Sequence, residues 1–257
     1  MRSVHRCRTE IRQALKRKQV LVFLDFDGTL APIAATPAEA RMNEQTSEAL
    51  HALAQAPRAR VAILSGRPLS FLARRFDDRR FFCGGNHGLE MRGPGFQFCP
   101  PGAEALRPEV HAVARRATNA LGGIPGVLIE DKGLTMSVHY RRIPTGRQHE
   151  FQQELQTFRQ QTNSRSFRWR RGKMIWELLP NLDWHKGRAA EILCRHLRSR
   201  TTVAMGDDIT DEDMFRSLKS RGPTVRVGRR IDSLATYYLS KQSDVPDFLR
   251  QLAEALQ

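Results

Sequence analysis

Along this chain, short runs that are apolar at every position alternate with stretches in which apolar residues recur every three or four positions. The first run, Val20-Leu21-Val22-Phe23-Leu24, has no polar position and fits a strand covered on both faces. Residues 45–56 then place Ala49, Leu50, Leu53 and Ala54 on one helical face, before a second apolar strand, Val61-Ala62-Ile63-Leu64. A helix over 69–76 leads to a third strand at Phe81-Phe82-Cys83. Strand and helix alternate up to this point, which predicts βαβ units and a parallel sheet.

The middle of the chain changes pattern. Residues 94–108 are rich in Pro and Gly and read as a hinge, and a helix follows over 109–121. Residues 134–140 alternate apolar and polar, the mark of a half-buried strand. A further helix carries Phe151, Leu155 and Phe158, and strands over 167–171 and 174–179 meet at a turn near Gly172. A sheet with one polar face and two helices predicts an inserted domain. The last third returns to the first pattern. A helix over 185–197 turns Ala189, Ile192, Leu193 and Leu197 inward, and Thr201 to Met205 is a strand. Thr210 is the expected N-cap of the next helix, with Asp211 to Asp213 in its first turn. Val225-Arg226-Val227 is a short strand, and residues 245–256 close the chain as a helix. The expected fold class is α/β: a Rossmann-like parallel sheet core with an inserted α+β cap domain. The expected divisions are 1–18 for a basic lead-in segment, 19–105 and 182–257 for the core, and 106–181 for the cap.

Composition mainly excludes. No apolar stretch approaches the roughly 20 residues of a membrane span, so no membrane partner is expected. Residues 1–18 are basic, with Glu10 the only acid, and lack the apolar centre of a secretory signal; an exposed amphipathic helix is expected there. Cys7, Cys83, Cys99 and Cys194 are scattered without a C-x-x-C pair, which argues against a zinc site or a disulfide framework and for a reducing cytoplasm. The formal charge of +15 would suit a nucleic-acid binder. The cations are spread out, however, in short clusters such as 16–18, 168–171 and 226–230, with no basic tail and no zinc-finger spacing. An anionic small substrate benefits from the same field, and no nucleic-acid partner is expected.

The candidate chemistry sits at strand ends. Asp25-Phe26-Asp27-Gly28-Thr29-Leu30 directly follows the first strand, where ligands of open α/β sheets bind. Two residues apart in extended chain, both carboxylates can enter one crevice, and Gly28 permits a sharp turn. Two acids before a Gly-Thr turn suit phosphoryl transfer, one attacking phosphorus and one handling protons, with a divalent cation to tolerate the charge. Gly206-Asp207-Asp208 with Asp211 is a second acidic group at a strand end. Magnesium would take Asp25, the backbone carbonyl of Asp27, and Asp207, with Asp208 alongside; Glu212 and Asp213 read as helix first-turn residues. Ser65-Gly66-Arg67 offers a hydroxyl and backbone amides to phosphate oxygens, and Lys186 can neutralise them.

In chain order, Asp-x-Asp-Gly-Thr, Ser-Gly-Arg, Lys-Gly and Gly-Asp-Asp-x-x-Asp resemble the four motifs of haloacid dehalogenase-type phosphatases. The resemblance implies that Asp25 forms an aspartyl-phosphate and that Asp27 protonates the leaving alcohol and then activates water. It also implies that Ser65, Gly66, Arg67 and Lys186 hold the phosphoryl group and that Asp207 with Asp208 holds Mg2+. Residues 27–33, Gly85-Asn86-His87-Gly88-Leu89-Glu90, 130–135 with His139-Tyr140-Arg141, Gly172-Lys173 with Glu177, and 206–213 further resemble the trehalose-6-phosphate phosphatases. That likeness runs from about Val20 to the end of the chain. It implies hydrolysis of trehalose 6-phosphate to trehalose and phosphate, the last step of trehalose biosynthesis, with another phosphosugar such as sucrose phosphate as the alternative substrate. His87 from the core and Glu130, Lys132, Arg141 and Glu177 from the cap would read the disaccharide, and closure of the lid would exclude water. A monomeric, cytoplasmic enzyme linked in its pathway to trehalose-6-phosphate synthase is implied as well. Two positions depart from the pattern. Leu179 precedes Pro180 where that family commonly carries a basic residue, and Arg142 beside Arg141 leaves two guanidiniums for one role. From the residues alone, Glu130 and Lys132 equally make a plain cross-strand ion pair, and His87 a turn histidine.

Overall fold

A computed structural model describes residues 1–76, 79–162 and 165–257. In chain order the first elements are β1 (Arg2–Ser3), α1 (Arg8–Leu15), β2 (Val20–Leu24), α2 (Glu44–Gln55), β3 (Ala59–Leu64), α3 (Leu69–Ala73), β4 (Phe81–Gly85), β5 (Glu90–Gly93) and β6 (Phe96–Phe98). The middle holds α4 (Arg107–Leu121), β7 (Leu128–Asp131), β8 (Met136–His139), α5 (Gln148–Gln161), β9 (Phe167–Gly172) and β10 (Ile175–Pro180). The chain ends with α6 (Lys186–His196), β11 (Thr201–Gly206), α7 (Ile209–Leu218), β12 (Thr224–Val227), β13 (Tyr237–Leu239) and α8 (Val245–Ala255). Two compact units result, Met1–Phe98 with Trp184–Gln257, and Cys99–Asp183.

The first unit is built on one sheet of order β1-β13-β12-β11-β2-β3-β4-β5-β6. All pairings from β1 to β4 are parallel, and the β5–β6 hairpin continues the sheet antiparallel. After β2 the chain steps outward through β3 and β4; after the insertion it returns to β11 on the other side of β2 and steps away through β12. The strand order therefore reverses between β2 and β11, and a crevice opens beyond their carboxyl ends. Alternation along β2 explains why both faces are covered. Val20, Val22 and Leu24 enter one apolar cluster with residues of α2 and α8, while Leu21 and Phe23 enter another with residues of α6 and α7. Burial on both faces is why β2 carries no polar residue.

The basic lead-in segment was expected as an exposed helix, but it is packed. Ile11 and Leu15 of α1 join the same cluster as Leu252 and Leu256, and β1 pairs with the outer edge of β13. Arg2 forks onto Glu10 at 2.7 Å through both nitrogens, and Tyr237 donates to the same carboxylate at 2.8 Å. The expected N-cap at Thr210 is corrected as well: α7 is capped at Asp208, because the Asp211 carboxylate accepts from the backbone N–H of Asp207 and of Asp208, each at 3.0 Å. This draws the helix start back by two residues.

The second unit is an antiparallel sheet of order β7-β8-β10-β9 with α4 and α5. Met136, Val138 and Leu178 from its strands enter a cluster with Val110, Ala117, Phe151 and Phe158 from the helices. The alternate positions form a row across the strands, Glu130 opposite Ser137, Ser137 opposite Glu177, and Glu177 opposite Arg170. A period of two thus sorts one apolar and one polar face. Among the described residues, no helix is long and apolar enough to cross a membrane.

Phe26 tests the first unit directly. Its ring is fully buried between two aspartates of the sequence and packs edge-on to Phe71 and Phe76, with centroids 5.4 and 6.1 Å away. Phe26→Ala is expected to lower unfolding free energy by about 3–5 kcal/mol in urea titration; a loss under about 1 kcal/mol would contradict this packing.

Candidate active site

Asp25 begins at the end of β2, with its backbone N–H donating to the Met205 carbonyl of β11 at 2.9 Å. Its side chain is buried and faces Lys186, the first residue of α6, whose side chain is itself only 2% exposed. The Lys186 Nζ donates to Asp25 Oδ1 at 2.6 Å and to Asp211 Oδ1 at 2.8 Å. Single oxygens of Asp25, Asp207 and Asp211 lie within 4.8 Å of one another. Thr29 donates to Asp207 Oδ1 at 3.5 Å and so ties the turn after β2 to the turn after β11.

Two glycines make this approach feasible. Gly28 has φ of 85°, and a Cβ placed there would stand 2.2 Å from an oxygen of Asp207. At Gly206, a Cβ would stand 2.2 Å from the Asp211 carboxyl carbon. The two carboxylates occupy the volumes where side chains would otherwise be, so neither glycine tolerates replacement without moving an acid.

Three carboxylates around one ammonium leave an excess of two negative charges in a buried place. Burial pushes Asp25 well above the usual carboxylate range; Lys186 opposes this, while Asp211 and Asp207 reinforce it. Burial also works against the charge of Lys186, but Asp211 and Asp25 outweigh it and hold Lys186 above the ordinary lysine range. Asp207 is pushed up to about 7, by burial first and then by Asp211 and Asp208. Such a cluster is short of positive charge, and its all-oxygen donor set is what a hard divalent cation requires.

Ser65 and Arg67 follow β3. Ser65 is buried, and its hydroxyl accepts from the Arg67 N–H at 3.2 Å. The turn after β4 is fastened to this loop, with the Asn86 N–H donating to the Arg67 carbonyl and the His87 N–H to the Ser65 carbonyl, both at 2.8 Å. Asn86 and His87 adopt left-handed φ values of 50° and 60°, and the His87 ring lies against Gly66, 2.7 Å from where a Cβ would sit. His87 and the Ser65-Gly66-Arg67 loop are thus brought together. Asp27 lies two residues beyond Asp25 and turns its carboxylate to Arg67. Arg67 Nε donates to Asp27 Oδ2 at 2.7 Å and Nη2 to Oδ1 at 2.5 Å.

In the cap, Glu130, Lys132 and Glu177 gather on the polar sheet face. Lys132 Nζ lies 3.9 Å from Glu130 and 3.5 Å from Glu177. Arg141, expected to join them, is exposed and donates instead to the Lys173 carbonyl at 3.3 Å. Leu179, at the position of the family's basic residue, is buried.

Asp208 stands apart from the three-carboxylate cluster, exposed at the α7 N-cap. The geometry gives Asp211 the place that the sequence reading gave to Asp208. Arg226 was also missed: it is buried in β12, donates to Glu212 at 2.8 Å and to the Asp208 carbonyl at 3.3 Å, and bonds the Asp207 carbonyl. The available signal was a charge inside the apolar stretch Val225-Arg226-Val227. Arg170 pairs with Glu177 at 2.6 Å, and His139 with Glu130 at 2.9 Å; period-two reading of the cap strands would have placed both on the polar face.

The sequence model of the trehalose-phosphatase family matches residues 23–245. The trehalose-phosphate phosphatase of Mycobacterium avium is 34% identical over 249 residues, covering 92% of this chain and 62% of the relative, so the chain spans about three fifths of that protein's length. The solved C-terminal domain of trehalose-6-phosphate phosphatase from C. albicans is 25% identical, with a TM-score of 0.78 and 96% of each chain covered. A haloacid dehalogenase-like hydrolase from Bacteroides thetaiotaomicron shares the fold, with a TM-score of 0.61, 17% identity, and coverage of 91% of this chain and 100% of that one.

The raised value of Asp207 has a signed consequence. Its folded-state pKa lies above the unfolded one, so its contribution to stability is complete below about pH 4 and is lost as pH rises through about 7. The melting temperature of the metal-free protein is expected to fall between pH 5 and pH 8. Added magnesium should raise it more at pH 8 than at pH 5, as calorimetry at the two pH values will show. Equal magnesium shifts at both would contradict the assignment of the cluster.

Proposed function

The chain belongs to the trehalose-phosphatase family, and on that premise we propose that it hydrolyses trehalose 6-phosphate to trehalose and inorganic phosphate. The observation that carries this reading is the buried Asp25–Lys186 pair at the carboxyl end of the switch-point strand, with Asp27 two residues further on. A carboxylate there is placed to attack phosphorus, and a second is at hand for the proton.

In the first step an Asp25 oxygen bonds to phosphorus as the bond from phosphorus to the sugar oxygen breaks, and Asp27 gives that oxygen its proton. In the second, Asp27 takes a proton from water as the water oxygen attacks phosphorus, and Asp25 is released with phosphate. Lys186 orients Asp25 and offsets charge on the phosphoryl oxygens, to which the Ser65 hydroxyl also donates. Asp25, Asp207 and Asp211, with the Asp27 carbonyl, fit a magnesium ion, which when bound supplies further neutralisation of phosphoryl charge. Arg226 holds the Asp207 turn from behind through its carbonyls.

Recognition of the sugar is assigned to the cap's polar face. Glu130 and Glu177 are acceptors for hydroxyl groups, and Lys132, Arg170 and His139 keep them oriented while adding donors. The reaction takes its substrate from a glycosyl transferase that builds the phosphorylated disaccharide, which makes a trehalose-6-phosphate synthase its pathway partner.

Phosphate release measured side by side from trehalose 6-phosphate, sucrose 6-phosphate and glucose 6-phosphate tests the substrate. Strong preference for the trehalose ester is expected; equal rates would leave a phosphatase and remove the cap assignment. Asp25→Asn should abolish turnover while the thermal transition persists. Glu130→Ala is expected to raise KM for the trehalose ester at least about tenfold while sparing small aryl phosphates. Equal losses on both would take Glu130 out of sugar recognition.

A further inference from the structure

We infer that Arg67 is a positioning residue for the proton-transferring Asp27 and not a ligand of the phosphoryl group; the inference rests on the function proposed above. Its guanidinium engages both oxygens of Asp27, at 2.7 and 2.5 Å, which fixes the plane of the carboxylate as well as its position. The Asp27 side chain is 36% exposed and the Arg67 side chain only 9%, so the buried partner holds the open one. Arg67 itself is fastened on several sides. Its Nη1 donates to the Pro37 carbonyl at 2.7 Å, its guanidinium lies 4.7 Å from the Phe71 ring centroid, and its backbone bonds Ser65 and Asn86. A fork so anchored presents one orientation to Asp27. Among the described residues, the cation in direct contact with the Asp25 side chain is Lys186, at 2.6 Å.

Chemistry separates the two roles. A sugar alkoxide is a strong base, so the electron pair of its bond to phosphorus departs only as Asp27 delivers a proton to the oxygen. A nitrophenolate departs without that proton. Displacing Asp27 therefore harms the sugar ester selectively, whereas loss of a phosphate ligand harms both esters alike. The parameter to compare is kcat/KM, which reports steps through release of the alcohol and excludes hydrolysis of the aspartyl-phosphate.

The experiment measures kcat/KM on trehalose 6-phosphate and on p-nitrophenyl phosphate, and inhibition by inorganic phosphate, for wild type, R67K, R67Q, D27N and the D27N/R67Q double variant. The ratio between substrates is taken on one preparation and is independent of the fraction folded. R67Q is expected to lose about 100-fold on the sugar ester and under about fivefold on the aryl ester, with phosphate inhibition little changed. R67K, which keeps the charge without the fork, should fall between. In the D27N background, R67Q should cost no more than about twofold. Equal losses on both esters, or weakened phosphate inhibition in step with the rates, would overturn the positioning role and leave the phosphatase reading intact. Wild-type protein inert on both esters would overturn both.

Discussion

One ammonium group joins parts of the core that lie far apart along the chain. Lys186 opens α6, Asp25 follows β2, and Asp211 lies in the first turn of α7, yet two hydrogen bonds of 2.6 and 2.8 Å bring all three together out of water. Removing one member of such a group leaves a buried charge unmatched, at a cost of about 3–5 kcal/mol. The same bonds set the reactive geometry. Asp211 cannot serve Lys186 without also capping the turn that carries Asp207, because its second oxygen accepts the N–H groups of Asp207 and Asp208. Stability and chemistry are thus drawn from one set of contacts.

The core was legible because its signals are local. An apolar run that meets a polar residue beyond the carboxyl end of a strand is a statement about burial on both faces, as in β2 before Asp25, β3 before Ser65 and β11 before Asp207. What was not legible depended on partners distant in sequence. Asp208 and Asp211 are both acids in one motif, and only the fold shows that Asp208 is exposed while Asp211 is fully buried against Lys186. The strands β1 and β13 are two and three residues long and make sense only as edge additions to a sheet already formed. The lead-in helix α1 looked exposed because its mate, α8, comes more than 200 residues later.

In the cap, the polar face was legible in part. Alternation along residues 134–140 gave one strand and its two faces, but the partners in the row from Glu130 to Arg170 are fixed by register, which a single strand does not reveal. Arg141 lies just past the end of β8, where alternation no longer applies, and its side chain turns to the Lys173 carbonyl. Arg170 sits mid-strand, and its pairing with Glu177 follows from that position.

The central strand of the core is flanked on one side by β3, one loop and one helix away, and on the other by β11, which follows the whole inserted unit. A ribosome making this chain therefore completes the cap, which is continuous in sequence, before the core can close. Until β11 emerges, β2 has one unpaired edge, and Asp25 waits without Asp207 and Asp211. Long-range strand pairing of this kind folds slowly and leaves edges exposed to other chains. The stretch between residues 98 and 206 is thereby the interval of synthesis in which that edge stays open.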